Sequence, residues 1–302
     1  MTESAADRPR RAWVAAVLAF SLTGLGHVYA GRPRCGVVLW LLTSAAGYLC
    51  LYAVVLLVPS IVAVVAFLGV WVVVWIWTIV DAARSAKAAP VPYSLRPYNR
   101  WYLYAAIFLV WTVLLGPSVQ KLVRRNIAET FKLPSESMAP AYQNGDWIVV
   151  TPLRGQVPRG AVVVFRSDFG PLLKRVVGMP GDTLAMQNNH LVVNGAMVAE
   201  PYAMIDSVDH TGPEFEWQHT FLTAGVEAVR YHPSLHTWGP IAIPRGEYFV
   251  LGDNRGDSND SRYMGFVSRD SIFARPIGIY FSWDAELHRV RWSRLGRAPE
   301  AE

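Results

Sequence analysis

The stretch GVVLWLLTSAAGYLCLYAVVLLVPSIVAVVAFLGVWVVVWIWTIV, residues 36–80, contains no Asp, Glu, Lys or Arg and determines the first half of the architecture. At about 1.5 Å of helical rise per residue, this stretch is long enough to cross a hydrocarbon core of about 30 Å twice. Pro59 and Ser60 lie near its middle and predict a turn. We therefore predict transmembrane helices over residues 36–58 and 61–80.

A third apolar stretch, WYLYAAIFLVWTVLLGPSV at residues 101–119, opens with aromatic residues typical of the membrane interface. Three uncharged segments of this length rarely fit in the core of a small soluble domain. We therefore predict a third span over residues 101–119 and a membrane anchor over residues 1–119.

Residues 12–31, AWVAAVLAFSLTGLGHVYAG, admit two interpretations. The segment is long enough to be a fourth span, but three glycines weaken its second half as a lipid-facing helix. A fourth span would require the arginine-rich N-terminus to cross the membrane. A re-entrant segment would leave that N-terminus, the turn at 32–34 and the loop at 84–100 together on the cytoplasmic side. The positive-inside rule therefore favours three spans.

The net charge of +5 is an orientation signal rather than a binding surface. Residues 1–119 hold nine Lys and Arg against three acidic residues, a net +6, whereas residues 120–302 hold 19 against 20, a net −1. The excess positive charge lies in residues 1–119, the half with the fewest charged residues. A basic groove for nucleic acid on the folded half therefore does not account for the net charge. The basic loops instead predict that residues after 119 are exported.

The motif GLGHVYAGRPRCG at residues 24–36, with WTIVDAARSA at residues 77–86, resembles the small two-helix transmembrane domain family that is fused to many bacterial proteins. The resemblance covers about residues 15–84. It implies no catalytic role, and we expect His27 and Tyr29 to serve polar packing within the anchor.

The sequence changes character from about residue 130 onward. Short apolar runs such as WIVV, AVVVF, HLVVNGAMV and IGIYFSW alternate with Gly and Pro, and Asn194-Gly195 predicts a tight hairpin. We predict an exported, mostly-β domain over residues 120–302, with a cap insertion over about residues 186–245. The basic stretch RVRWSRLGR, residues 289–297, is expected to be a solvated terminus.

Three segments of this half carry candidate reactive side chains. Ser135 and Ser137 follow a proline in FKLPSESMAPAYQNGDWIVV, residues 131–150. Lys174 lies between apolar pairs in LLKRVVGMPGD, residues 172–182, and is one of only four lysines against 24 arginines. Because a desolvated lysine can lose its proton and an arginine cannot, Lys174 is a candidate general base. The polar segment GDNRGDSNDSRYMGFV, residues 252–267, lacks the closing Glu of a calcium loop.

Taken singly, each segment has an ordinary structural explanation, as a loop, a snorkelling lysine or a polar turn. Together, PSESMAP, GDWIVV, KRVVGMPGD and GDNRGDSNDSRYMGFV resemble, in order and spacing, the bacterial type I signal peptidases over about residues 130–283. This resemblance implies that Ser137 is the nucleophile and Lys174 its general base. It also implies that the Ser135 hydroxyl donates to the oxyanion beside the Ser137 backbone N–H.

The resemblance further implies residues that support this dyad. Ser258 is expected to hydrogen-bond and orient the lysine. Supporting ion pairs are expected between Asp253 and Arg175 and between Asp260 and Arg262. The apolar neighbours of the dyad are candidate walls of shallow substrate pockets, namely Pro134, Met138, Leu172 and Leu173.

These observations predict a membrane-bound serine endopeptidase that removes signal peptides from exported preproteins after small residues at positions −1 and −3. It would lie in the bacterial inner membrane with its catalytic domain outside the cytoplasm. Its expected partners are signal peptides and the lipid bilayer, with the secretion translocon as a further candidate. We expect no nucleic acid, no cofactor and no metal, since Cys35 and Cys50 lie in the anchor and the histidines form no recognisable ligand set.

Two other functions stay open at this point. A specialised peptidase that matures one substrate would carry the same motifs, so only substrate breadth separates it from a general enzyme. A non-catalytic membrane assembly protein could retain the fold, although intact Ser135, Ser137, Lys174 and Ser258 argue against that alternative.

Overall fold

The computed structural model describes residues 9–57, 61–91, 93, 96–205 and 208–298. The chain divides into two compact units, Met1–Ile127 and Ala128–Glu302. This boundary falls a few residues beyond the predicted end of the anchor at residue 119.

The first unit is helical. Its first four helices are α1 Ala12–Ser21, α2 Leu25–Tyr29, α3 Pro33–Leu57 and α4 Ile61–Lys87. Helix α3 begins before its predicted span, and α4 ends after its own. The additional turns carry arginine or lysine and continue each helix beyond its apolar segment. The predicted turn at Pro59 and Ser60 lies outside the described residues.

Residues 12–31 do not form one continuous helix. Leu22 adopts an extended conformation after α1, and Gly24 takes a φ of +94° immediately before α2. The ten residues of α1 measure about 15 Å, half of a hydrocarbon core of about 30 Å. The break therefore separates two helices that are each too short to span.

Small side chains allow α1 and α2 to pack closely on α4. The buried cluster at this junction consists of alanines 15, 19, 30, 82 and 86. A Cβ atom at Gly26 would meet the carbonyl oxygen of Ala15, so the backbones approach as they do at small-residue interfaces in membranes. Next to this contact, the fully buried His27 places Nε2 2.9 Å from Oδ2 of Asp81.

The last helix of the first unit is longer than the predicted 101–119. It comprises α5 Trp101–Val110, a π turn at Trp111–Leu115 and α6 Gly116–Asn126. Pro117 has no N–H to donate, and the preceding π turn accommodates the missing hydrogen bond without ending the helix. Within the described part of the chain, Val65–Lys87 and Trp101–Asn126 are long and apolar enough to cross a membrane.

The second unit is built from antiparallel strands, which confirms the predicted mostly-β fold. In chain order, the described strands are β1 Glu129–Lys132, β2 Asp146–Pro152, β3 Val162–Ser167, β4 Gly170–Gly178, β5 Thr183–Gln187, β6 His190–Val193, β7 Ala196–Met197, β8 Trp238–Ala242, β9 Glu247–Leu251, β10 Val267–Ser268, β11 Ile272–Asp284 and β12 Arg289–Val290. A short helix, α7 Ser261–Met264, lies between β9 and β10 in the chain.

Two sheets organise these strands among the described residues. The main sheet has the order β1-β2-β11-β3-β4-β9-β10, with β12 paired to β11, and the smaller sheet has the order β7-β6-β5-β8. The smaller sheet accounts for the predicted insertion, although it begins at Thr183 rather than at residue 186. The predicted hairpin at Asn194-Gly195 joins β6 to β7, with positive φ at both residues as a type I′ turn requires.

Both faces of the main sheet are covered by apolar side chains. Alternate residues of β3 join different clusters, since Val162 and Val164 pack with Ile148 whereas Val163 and Phe165 pack with Val250. This is the period of two that a strand imposes on its side chains. Consecutive residues of a central strand can therefore serve two separate environments.

The basic stretch at residues 289–297 is not a solvated terminus, contrary to expectation. Arg294 is buried, and its Nη2 donates to Oδ2 of Asp146 at 2.6 Å and to the carbonyl oxygen of Ala141 at 2.9 Å. The carboxylate of Asp146 supplies the charge partner that makes burial of a guanidinium tolerable. The ion pair ties the C-terminal segment to the start of β2.

Candidate active site

Ser135 and Ser137 lie in the turn that follows β1. The backbone of Leu133 holds this turn to the start of β2, since Leu133 N donates to Asp146 O at 2.8 Å and Gly145 N donates to Leu133 O at 2.9 Å. The two hydroxyl oxygens of Ser135 and Ser137 are 3.2 Å apart. Ser135 is exposed and Ser137 is partly exposed.

Lys174 lies in the middle of β4, opposite Val163 of β3. Its Nζ donates to the Ser137 Oγ at 2.7 Å, across 37 residues of sequence. The lysine is only 3% exposed, and burial lowers the pKa of its amine below the ordinary value of 10.5. The structure thus joins a hydroxyl to an amine whose protonated form is disfavoured.

Arg175 makes a buried ion pair on the opposite side of β4 from its neighbour Lys174. Its Nε and Nη2 donate to Oδ1 and Oδ2 of Asp253, each at 2.7 Å. Both side chains are at most 1% exposed. Asp253 follows β9, which pairs with β4. This bidentate ion pair therefore connects the polar segment at residues 252–267 to the strand that carries the lysine.

Asp260 and Arg262 form the second predicted pair. Arg262 donates from Nε and Nη2 to the two carboxylate oxygens of Asp260, each at 2.8 Å. Burial by itself would raise the pKa of Asp260, but the Arg262 guanidinium together with hydrogen bonds from Gly252 and Ser258 lowers it overall. Asp260 also accepts from Gly252 N at 3.0 Å, which closes the turn between β9 and α7.

The hydrogen bond expected between Ser258 and Lys174 is not formed. Ser258 is buried, and its hydroxyl lies near the Asp260 carboxylate, whose pKa it helps to lower, without a well-formed hydrogen bond among the described residues. It also lies against the α-carbon of Gly252, next to the carbonyl oxygen of Ser137. Ser258 therefore packs against Gly252 and forms no hydrogen bond with the lysine, because the turn after β9 brings its side chain to Gly252.

A cleft of about 120 Å³ opens beside the two serines and the lysine. The four predicted wall residues, Pro134, Met138, Leu172 and Leu173, all line it. The apolar lining also includes residues that were not predicted from the sequence, namely Phe131, Leu133, Ile148, Val164 and Pro171. One residue of β2, Ile148, and one residue of β3, Val164, reach this cleft, and their contribution could have been found only by knowing which face of each strand turns inward.

A further buried ion pair near the site was missed from the sequence. Arg255 donates from Nη1 and Nη2 to the carboxylate of Glu200 at 2.9 and 2.6 Å, with both side chains at most 7% exposed. Met204 N donates to Asp253 O, and Arg255 N donates to Met204 O. Asn254 N in turn donates to the carbonyl oxygen of Ser137 at 3.2 Å. Arg255 lies in the polar segment at residues 252–267, but no local pattern indicated that its partner would be Glu200, 55 residues earlier in the chain.

Among the described residues, no group of three or more His, Cys, Asp or Glu side chains is placed to hold a metal ion. What the site brings together is a hydroxyl pair, a buried amine and an apolar cleft. Such an arrangement can support acyl transfer by an activated serine.

Comparison with known proteins defines the class as a peptidase. Residues 101–281 match the family model described as "Signal peptidase, peptidase S26", which is more than half of the chain. The chain belongs to this family and is a signal peptidase of the bacterial type I group.

Several signal peptidases are similar to this chain. Signal peptidase I of Pseudomonas fluorescens is 31% identical over 209 residues, covering 58% of this chain and 73% of that protein. Signal peptidase I S of Bacillus subtilis strain 168 is 32% identical over 171 residues, covering 53% of this chain and 80% of that protein. A crystal structure of a signal peptidase I from Enterococcus faecalis V583 is 29% identical and covers 40% of this chain and 96% of its own, with a TM-score of 0.27.

Proposed function

We propose that this signal peptidase is a membrane-anchored serine endopeptidase in which Ser137 is the nucleophile and Lys174 the general base. The observation that carries the proposal is the 2.7 Å contact between the Ser137 Oγ and the Nζ of a buried lysine. Family membership supports signal peptides of exported preproteins as the substrates.

In the first step, neutral Lys174 accepts the hydroxyl proton of Ser137 while Oγ bonds to the carbonyl carbon of the scissile peptide. The resulting ammonium then protonates the leaving amine, and the peptide C–N bond breaks to leave an acyl-enzyme. Lys174, neutral again, deprotonates a water molecule that attacks the ester carbon. The resulting ammonium returns the proton to the Ser137 Oγ as the bond between Oγ and the acyl carbon breaks, which releases the carboxyl product. The lowered pKa of the lysine supports this role, because it increases the neutral fraction near physiological pH.

The negative oxygen of the tetrahedral intermediate needs hydrogen-bond donors. We assign this role to the Ser137 backbone N–H and the Ser135 hydroxyl. The 3.2 Å separation of the two serine oxygens supports it, since a carbonyl carbon under attack by Ser137 would bring its oxygen within reach of Ser135. One donor of this type typically contributes about 3–4 kcal/mol to lowering the barrier.

The narrow cleft beside the dyad supports a preference for small residues before the cleaved bond, at positions −1 and −3. Its volume of about 120 Å³ and its apolar walls favour methyl-sized side chains and exclude long ones. In this assignment, Pro134, Met138, Leu172 and Leu173 restrict the substrate by steric exclusion.

The first unit serves as the membrane anchor and the second as the catalytic domain in this proposal. Helices α3, α4 and the continuous helix Trp101–Asn126 are the three spans, and residues 12–31 are a re-entrant or interfacial segment. The broken α1–α2 segment supports three spans rather than four. The basic turn at 32–34 and loop at 84–100 then lie in the cytoplasm, and the catalytic domain lies on the extracytoplasmic side.

The dyad is tested by cleavage of a purified preprotein with the full chain in detergent. Ser137→Ala and Lys174→Met should abolish cleavage, whereas Lys121→Met, at an exposed lysine of α6 that does not line the cleft, should retain it. A mechanism-based acylating inhibitor should label Ser137. Cleavage by either dyad variant would refute the assignment, and a panel of unrelated preproteins would separate a general enzyme from a specialised one.

Reporter fusions test the topology. Fusions at residues 5 and 90 should both report a cytoplasmic position. An external position for residue 5 would overturn the three-span arrangement and leave the dyad assignment untouched.

A further inference from the structure

A polar pocket of about 490 Å³ lies in the first unit. Its lining includes Gly31 and Arg32 from the α2–α3 turn, Ser85 from the last turns of α4, and Pro90, Tyr93 and Arg96 from the segment that follows. The volume is within the range of about 300–1,000 Å³ that is typical of small-molecule sites.

Arg32 is held by Ser85 and Arg96 interacts with Tyr98, and both arginines of this pocket retain donors for a ligand. Arg32 donates from Nη1 to Oγ of the buried Ser85 at 3.1 Å, which uses one of its five N–H donors. Both Arg32 and Arg96 are exposed, and neither forms an ion pair with a carboxylate among the described residues. Tyr93 is buried beside them, and its hydroxyl donates to Asn99 Oδ1 at 3.2 Å.

The described part of the first unit offers almost no negative charge to neutralise these arginines. Asp81 is the single acidic residue between Arg8 and Ala128, and its carboxylate hydrogen-bonds the buried His27. A third guanidinium, that of Arg10, stacks on the rings of Tyr29 and Tyr93 at 4.5 and 4.1 Å and adds to the positive field. The pocket is thus electrostatically complementary to an anion.

Its position in the helical unit indicates where the anion comes from. The pocket lies where α3 begins and the apolar stretch Val65–Lys87 ends. If α3 and α4 span the bilayer, as proposed above, this level is that of the lipid headgroups. Basic pockets between membrane helices on the cytoplasmic side are known to bind anionic headgroups, and guanidinium groups bind phosphate through paired hydrogen bonds.

We propose that this basic pocket binds the phosphate group of an anionic phospholipid, with Arg32 and Arg96 as its principal contacts. The inference rests on the proposed membrane anchoring of the first unit. It concerns neither Ser137 nor Lys174.

Native mass spectrometry of the full chain in detergent tests the proposal, with dioleoyl phosphatidylglycerol, dioleoyl phosphatidylcholine and inorganic phosphate as separate probes. The unaltered chain should retain phosphatidylglycerol in preference to the other two. Arg32→Gln with Arg96→Gln should weaken this binding about tenfold or more. Arg34→Gln with Arg84→Gln is the matched control, because it removes two exposed arginines that do not line the pocket, and it should bind like the unaltered chain.

Three outcomes would overturn the proposal. Equal losses of phosphatidylglycerol binding in the pocket variant and the control would show a diffuse charge effect. Binding of phosphatidylcholine equal to that of phosphatidylglycerol would exclude charge recognition. Inorganic phosphate binding as tightly as the lipid would exclude a lipid site. Arg32→Lys with Arg96→Lys guards against misfolding, since it keeps the charge and should retain part of the affinity. Preprotein cleavage by the same samples and resistance of the chain to alkaline extraction from membranes are measured in parallel. If the unaltered chain did not cleave the preprotein, or if alkali extracted it from membranes, the proposed function would be contradicted whatever the lipid result.

Discussion

The Nζ of Lys174 lies 2.7 Å from the Oγ of Ser137, and the lysine is almost completely buried. A charged amine in this position would be poorly solvated, so the contact favours the neutral form that can accept a proton. The same two facts, contact and burial, lead to predictions about both activity and stability.

The rate of preprotein cleavage should depend on the protonation of Lys174. Because burial lowers its pKa below 10.5, kcat/KM should rise with pH as the amine loses its proton and level off above that lowered pKa. Lys174→Arg keeps the positive charge but cannot lose its proton, so it should remove measurable cleavage at every pH. A pH profile of the unaltered chain in which kcat/KM does not rise with pH would contradict the assignment of Lys174 as base.

Lys174→Met should inactivate the protein and yet stabilise it. The native lysine binds fewer protons than the unfolded one between its lowered pKa and 10.5, so the stability of the unaltered chain rises with pH across that window. Methionine has no such dependence. The stability advantage of the variant should therefore be largest below the native pKa and shrink as pH rises, which denaturant titrations at several pH values would measure. An advantage that grows with pH would be inconsistent with a buried, neutral lysine.

Ser135→Ala should lower kcat about 10²-fold with little change in KM. The expected loss follows from removing one hydrogen-bond donor to the oxyanion, an interaction made in the transition state. Ser135→Thr keeps a hydroxyl and should recover part of the rate. If alanine instead raised KM at constant kcat, Ser135 would be a ground-state binding residue.

Asp253→Asn should lower the free energy of unfolding by about 3–5 kcal/mol, because it leaves the buried Arg175 guanidinium without its countercharge. Glu227→Gln is the matched control, since Glu227 and Arg230 form an exposed pair at 3.2 Å with side chains 68% and 83% exposed. The control should change stability by less than about 1 kcal/mol. Similar effects in the two variants, measured by denaturant titration of the full chain, would contradict a structural role for the buried pair.

Gly252→Ala should impair catalysis without adding or removing a charge. An added Cβ would collide with Ser258 Oγ and with the carbonyl oxygen of Ser137, so the nucleophile would have to move. A displacement of about 1 Å at a reacting group typically costs about 10²-fold in rate. Gly69→Ala is the control, because nothing lies within 4 Å of the Cβ it would add. Unchanged cleavage by Gly252→Ala would mean that the turn adapts without moving Ser137.

Local sequence was sufficient for some elements and insufficient for others. The uncharged stretch at 36–80 predicted two helices, and the runs after residue 130 predicted strands, because hydrophobic periodicity and length are local properties. The third helix was predicted to end too early, since Pro117 and the arginines near residue 125 resemble a terminus when neighbouring turns are unknown. The broken conformation of residues 12–31 depends on the close packing of Gly26 against Ala15, which sequence spacing does not reveal.

By itself, the sequence determined the class of each half, the side of the membrane favoured by its charges and the identity of the candidate nucleophile and base. Only the tertiary structure decided which side chains touch. It brought Lys174 to Ser137 across 37 residues, paired Arg255 with Glu200, buried Arg294 on Asp146 and placed Ser258 against Gly252 instead of the lysine. The physical reason is that helix and strand preferences act over a few neighbouring residues, whereas burial and ion pairing depend on how the strands align in the sheet.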